Sequence, residues 1–272
     1  MTALTDTHCH LDFHAFDDDR AAVLRRGREA GITRFLNPGI DLPTSRAALR
    51  LAQAEADVFV AVGLHPNSAA QAPSGWLDDL RNLAAAPKVV AIGEIGLDYY
   101  RDYTPPSLQQ QAFARQLDLA ADLGLPVVIH SRNAGKEDEQ AVQDVLTLLE
   151  AWQERWRPRR PSLEGRWGVL HSFSASLPLA QQAIAMGFYI GITGPVTFKN
   201  APDLQEVVRA LPLEKVLIET DAPFLSPHPH RGKRNEPARV RLTAEKIAAL
   251  HEVSVDTVAR ITTENAAHLF GW

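Results

Sequence analysis

The sequence predicts an α/β fold, a TIM-type (β/α)8 barrel, and three observations carry that expectation. Strand-length apolar runs alternate with helical patterns eight times from end to end, without an internal break. The runs are near-continuous, as in Val58-Phe59-Val60-Ala61-Val62 and Val127-Val128-Ile129, which marks strands buried on both faces beneath helices. At the carboxyl ends of these runs stand His8, His10, Glu94, His130, His171 and Asp221, and strand ends of that kind form the rim of a parallel barrel. Imidazoles and carboxylates converging on one rim describe a metal site.

The first strand is expected over 4–10. Side chains alternate along a strand, so His8 and His10 share a face while Cys9 turns away as a small buried packer. Asp17 to Asp19 put negative charge at the positive end of a helix over 20–30. Strands follow at 32–37 and 58–65, the latter closing on His65, which reaches the same rim as a substrate contact or serves as a loop cap. The run 88–95 carries Glu94, followed by Gly96 and Asp98. A carboxylate buried there is costly unless paired, and either an arginine or two cations sharing its oxygens would answer it.

Pro105 and Pro106 precede a helix over 107–123, where a missing N–H does little harm. Phe113, Leu117, Ala120 and Ala121 share one face of that helix, and Gly124 stops it. The strand 125–130 delivers His130. Residues 133–166 then break the rhythm as an excursion through a polar loop and a helix into the run Arg155 to Pro161. Its two prolines and clustered arginines read as a surface loop, either a solvated excursion or a basic contact for nucleic acid or a partner. Strands at 167–171, 187–192 and 214–220 complete the count and present His171, then Glu219 and Asp221. Taken singly, His130 and His171 could each be core histidines, and Glu219 either orients a ligand or hydrogen-bonds within the barrel.

A chain of 272 residues fits one barrel domain over 1–272, and 45% apolar residues support its core. The net charge of −5 argues against a basic nucleic-acid-binding coat, although a cationic metal site could supply local attraction. One cysteine, no basic-then-apolar leader and no run approaching a membrane span give the expectation of a cytoplasmic protein without membrane contact. The sequence does not fix the oligomeric state, and a monomer is favoured.

The motifs T-D-T-H-C-H, G-E-I-G-L-D-Y-Y, V-V-I-H-S-R, L-H-S-F-S and I-E-T-D-A-P-F-L, with R-G-K-R-N-E-P after them, resemble the TatD family of metal-dependent hydrolases. The resemblance runs along almost the whole chain. It implies a barrel of the amidohydrolase-like kind with two divalent metal ions, zinc, magnesium or manganese. By position, His8, His10, Glu94 and Asp221 would hold one ion, and Glu94, His130 and His171 the second. The family usually has cysteine and glycine in the segment that here reads His171 to Ala175, and aspartate where Asn133 stands, departures that bear on substrate preference.

The implied activity is a deoxyribonuclease trimming single-stranded DNA or 3′ ends, with a metal-bridging hydroxide attacking phosphorus and Glu94 and Asp221 as catalytic carboxylates. His65, Arg132, Arg231 and Lys233 are candidate substrate contacts, with Lys199 and Arg234 behind them. Tyr99, Tyr100 and Phe224 are candidates for stacking a terminal base. The chain lacks a G-x-S-x-G elbow and a G-x-x-x-x-G-K-[ST] loop, which disfavours a serine hydrolase or a nucleotide-driven motor. The same site could instead hydrolyse an ester or amide, such as a D-aminoacyl-tRNA. A non-catalytic barrel that binds nucleic acid through residues 155–160 is the third reading.

Overall fold

The computed structural model describes residues 2–272. Eight parallel strands hydrogen-bond in sequence order: β1 (Leu4–Asp6), β2 (Ile32–Pro38), β3 (Val58–Val62), β4 (Val89–Asp98), β5 (Val127–Arg132), β6 (Gly168–Leu170), β7 (Tyr189–Ile192) and β8 (Val216–Ile218). The Thr7 N–H donates to Ile218 O at 3.2 Å and Cys9 bridges Ala222 in parallel register, which brings β8 round to β1. The connecting helices are α1 (Arg20–Glu29), α2 (Leu42–Ala54), α3 (Trp76–Ala84), α4 (Pro106–Leu123), α5 (Gln140–Trp156), α6 (Leu177–Ala185), α7 (Pro202–Ala210), α8 (Val240–His251) and α9 (Val255–Phe270). None is long and apolar enough to cross a membrane.

Period two along each strand divides the core. Phe35, Val60, Ile92, Ile129 and Ile190 belong to the buried layer between sheet and helices. Their neighbours Leu36, Ala61, Ala91, Val128, Val169 and Leu217 cluster with Leu269 and Phe270 of α9 and fill the barrel. That helix is tied to the amino ends of strands: Thr263 Oγ1 donates to Ala3 O, Asn265 Nδ2 to Val216 O, and Arg166 Nε to Leu269 O. The amino end of the barrel is therefore plugged, and the carboxyl end is left for chemistry.

Several expected boundaries move. The strand expected over 4–10 ends at Asp6, and those expected to end at 65 and 220 end at Val62 and Ile218. β4 runs past Glu94 to Asp98 and β5 past His130 to Arg132. The expected excursion at 133–166 holds α5, the barrel's own fifth helix, whose Val145, Leu149 and Trp152 are buried. Beyond it, single 3-10 turns over Arg157–Arg159 and Pro161–Leu163 lead back to the amino end of β6. The arginines there are engaged locally, Arg155 with Asp118, Arg157 with Glu164, and Arg160 with the carbonyls of Ala121 and Asp122. Their position at the amino end of β6 removes the basis for a basic contact serving the rim.

Candidate metal centre

Past Asp6 the chain leaves the ladder but stays extended between β2 and β8. Cys9 N donates to Leu36 O, and His10 N to Ala222 O. Cys9 is fully buried with its thiol toward Leu36 O, so the two histidines point together into the mouth, their Nε2 atoms 3.3 Å apart. Glu94 reaches in from β4. Its Oε2 lies 3.5 Å from His8 Nε2 and 3.6 Å from His10 Nε2. Asp221 follows β8 with φ of 53°, a left-handed conformation that aspartate tolerates better than most side chains, and its Oδ1 lies 3.7 Å and 3.5 Å from the same two nitrogens.

The other oxygen of Glu94 faces a different set. Its Oε1 lies 2.8 Å from His130 Nδ1, 3.1 Å from His171 Nε2 and 3.6 Å from His65 Nε2. The rings of His8 and His171 stack at 3.7 Å and join the two halves. All six residues that the sequence marked as ligands therefore meet in one buried volume. His65, expected as a substrate contact or a loop cap, stands within the same cluster, in a triad with Glu94 and His130, and its Nδ1 also accepts from Asn67 N at 3.1 Å.

The spacing fits a cation. Four donors about 2.0–2.2 Å from a tetrahedral ion stand about 3.3–3.6 Å from one another. The five contacts among His8, His10, Glu94 and Asp221 given above run from 3.3 to 3.7 Å. The donor set is imidazole nitrogen and carboxylate oxygen, which suits divalent metals of intermediate softness.

Electrostatics follow from burial in a crowd of charges. Burial pushes the Glu94 carboxyl up, but the imidazoles of His171, His65 and His8 outweigh it and hold the group well below the usual carboxylate range. Asp221 is likewise held below its ordinary value, the hydrogen bond with His10 and the nearby His171 overcoming desolvation. Desolvation, helped by His130, lowers His65 to about 3, so its ring is neutral at pH 7. His171 moves well above the ordinary value, because Glu94 and Glu219 together overcome its burial.

A supporting layer surrounds the cluster. Fully buried Glu219 accepts from Ser172 N at 3.1 Å and lies 3.2 Å from His171 Nδ1, through one oxygen. Asp6 accepts from Thr220 Oγ1, Thr220 N and His8 N, and burial, against those bonds, pushes its carboxyl up to about 8. Sequence reasoning assigned no role to Asp6, Asn67 or Asp98. Asp98 Oδ2 accepts from Asn67 Nδ2 at 3.0 Å and lies 3.4 Å from His130 Nε2. Its only signal in the chain is an acidic residue four positions beyond Glu94, on the same strand face.

The candidate substrate contacts divide. Arg132 is exposed at the end of β5 with its guanidinium 4.1 Å from the Tyr100 ring centre. Arg231 lies over Phe198 and donates to Asn200, and Lys233 is exposed on the same long loop after β8. Arg234 is committed to Asp19 and Ala15 O. Tyr99 turns inward: its hydroxyl donates to Asp144 Oδ2 at 2.7 Å, and burial raises its pKa to about 12. Tyr100 and Phe224 remain exposed. Of the departures from the family pattern, Ser172 adopts φ of 46° and bonds Thr193 Oγ1, while Asn133 Oδ1 accepts from Val142 N inside α5.

A (β/α)8 barrel whose carboxyl mouth gathers histidines and acids around a shared glutamate has the make-up of a metal-dependent hydrolase. The family model described as TatD related DNase matches residues 5–271, and the chain belongs to that family. It is 40% identical to YabD of Bacillus subtilis (strain 168), an uncharacterised metal-dependent hydrolase, over 98% of each chain. It is 37% identical to the protein named 3′-5′ ssDNA/RNA exonuclease TatD of Erwinia amylovora, covering 98% of this chain and 99% of that one. Among solved structures, YjjV, a TatD homologue from Escherichia coli K12, superposes with a TM-score of 0.89 at 31% identity, covering 99% of this chain and 98% of that one.

Proposed function

We propose that the chain is a two-metal phosphodiesterase that removes nucleotides from the 3′ end of single-stranded DNA. In this reading His8, His10, Glu94 and Asp221 hold one divalent ion, and Glu94, His130 and His171 hold the second. The observation that carries it is the division of labour on Glu94, whose Oε2 faces the pair from the first strand and whose Oε1 faces the histidines of β5 and β6. A carboxylate presented in this way would have an oxygen free for an ion on either side.

When bound, such ions supply Lewis acidity toward phosphoryl oxygens and lower the pKa of water from 15.7 toward about 7. The chain's own groups do the rest. Asp221, ionised and within 3.7 Å of both His8 and His10, is the base that accepts a proton from the attacking water. Neutral His65, beside Glu94 Oε1, can donate a hydrogen bond to substrate without adding charge. Arg132, Arg231 and Lys233 draw phosphates to the rim. With the four histidines neutral as ligands and the two carboxylates ionised, the six side chains sum to −2 and would carry a net +2 with two divalent ions, so an acidic protein would still attract a polyanion locally. Relatives of Erwinia and Shigella named as 3′-5′ ssDNA/RNA exonucleases, at 37% and 36% identity, support nucleic acid as the substrate.

The test is release of nucleotide from a 3′-labelled single-stranded oligonucleotide by metal-stripped protein given magnesium, manganese or zinc. Release that needs metal and vanishes in Glu94→Ala/Asp221→Ala is the expected result. No release while two ions remain bound per chain would overturn the nuclease reading and leave ester or amide hydrolysis at the same centre.

A further inference from the structure

Tyr100 and Tyr103 are the most exposed large hydrophobic side chains of the described residues, at 53% and 59%, and both stand on the loop between β4 and α4. A lone exposed tyrosine is ordinary. These two come with cations. Besides Arg132 over Tyr100, Arg101 lies 5.3 Å from the Tyr100 ring centre and 5.9 Å from that of Tyr103. Among the described residues neither guanidinium pairs with a carboxylate, whereas Arg155, Arg157 and Arg234 all do. The rim thus keeps planar cations and aromatic faces in one place, uncommitted to the fold.

The group is also fixed relative to the metal centre. Asp98 Oδ1 accepts from the backbone N–H of Tyr100 and of Arg101, each at 3.0 Å, while its other oxygen lies near His130 Nε2. Arg132 is placed by the strand ladder, since it registers with Asp98 and its carbonyl accepts from Tyr99 N at 2.8 Å. One buried carboxylate and one rung of sheet therefore hold Tyr100 and Arg101 just past Asp98, which faces His130, and Arg132 on the same strand just past His130. A solvated loop would need neither.

We propose that Tyr100 and Arg132, with Arg101 and Tyr103 beside them, form a subsite for the unpaired nucleotides beyond the two joined by the scissile phosphodiester. The inference rests on the nuclease reading above and names where that substrate is held. Aromatic and guanidinium planes stack on bases of any sequence, and the guanidinium charge meets the phosphates between them. A base inside a duplex has both faces covered by its neighbours, so the platform favours single strands. Acidic peptide would meet the arginines but has no planar groups to use the tyrosines, which makes nucleic acid the better complement.

The full chain with restored metal would be assayed on single-stranded DNA from dinucleotide to dodecamer, and on a blunt duplex. Wild type, Tyr100→Ala, Tyr100→Phe and Arg132→Ala would be compared after thermal melts establish that each is folded. Tyr100→Ala should raise KM for the dodecamer roughly 5- to 150-fold, the range of one base–aromatic stack, and lower the dodecamer-to-dinucleotide ratio of kcat/KM accordingly. Tyr100→Phe should recover most of the loss, because it keeps the ring. Arg132→Ala should flatten the salt dependence of KM by about 0.7 in log–log slope, one phosphate contact on a single strand. Unaltered length preference in Tyr100→Ala, or a duplex degraded as well as a single strand, would overturn the subsite while leaving the nuclease intact. Failure of wild type to release nucleotide from any strand would instead remove the nuclease reading, and the subsite with it.

Discussion

Replacing Glu219 by glutamine tests whether the carboxylate behind His171 orients a ligand or merely fills the barrel. Glu219 Oε2 lies 3.2 Å from His171 Nδ1 and accepts from Ser172 N, so in the metal-holding form it would keep the proton on Nδ1 and leave the Nε2 lone pair for an ion beside Glu94. Glutamine keeps the shape but loses the charge, and can turn its NH2 toward Nδ1, which would favour the opposite tautomer. Loss of such a partner costs 10–100-fold in metal affinity, about 1.4–2.7 kcal/mol. Titrating metal-free protein with zinc or manganese by calorimetry should therefore show the weaker of two binding events shifted by that factor, with the His8–His10 event changed less. Gly191→Ala is the independent check, because a Cβ there would overlap Glu219 Oε1 and displace the carboxylate without removing it. If both variants bind both ions like wild type and change only the melting temperature, Glu219 is a packing residue and the orientation argument is refuted.

Three further outcomes follow from the geometry. The folded site refuses a proton that the unfolded chain accepts on His65 between about pH 6.5 and 3, so metal-free protein should lose stability as pH falls through that window. Urea titrations of His65→Gln should show a shallower acid slope, and an unchanged slope would refute the assignment. Asp41 caps α2 by accepting from Thr44 N while Thr44 Oγ1 accepts from Asp41 N, so Asp41→Ala should cost about 1 kcal/mol in urea unfolding without altering metal binding. Metal at about 100 times its dissociation constant should stabilise the fold by about 2.7 kcal/mol per site over chelated protein, and identical melting curves would contradict a cation-holding cluster.

Much of this was legible in the chain because burial on both faces of a strand leaves continuous apolar runs, and each run found in the sequence corresponds to a strand. The ends were misread where the chain stops using the ladder. His8 and His10 sit beyond β1, yet they share a direction because the bridge from Cys9 to Ala222 keeps the segment extended. Asp221 escapes strand parity altogether through its left-handed backbone. Side-chain partnerships separated by tens of residues left no local mark: Tyr99 looked free until its hydroxyl met Asp144, 45 positions away. The arginines around 155–160 looked available because the sequence does not reveal that Asp118 and Glu164 face them. His65 was read only as a rim residue, because its approach to Glu94 is a contact between neighbouring strands that no local pattern records.

The topology explains why a glutamate holds the middle of this centre. In a barrel of eight strands in sequence order, β4 lies opposite β8 and β5 opposite β1. His8, His10 and Asp221 come from the junction of β1 and β8, whereas His130 lies within β5 and His171 follows β6. A group that meets both sets must start on one side and extend toward the axis, which favours the longer carboxylate. Glu94 does this from within β4, not from its end, so the strand continues past it and carries Asp98 to the outer side of His130. The same continuation sets Tyr100 beside Arg132 at the lip of the mouth. One long strand thus links the shared carboxylate, the support of a histidine and the exposed aromatic face, so displacing β4 would disturb all three together.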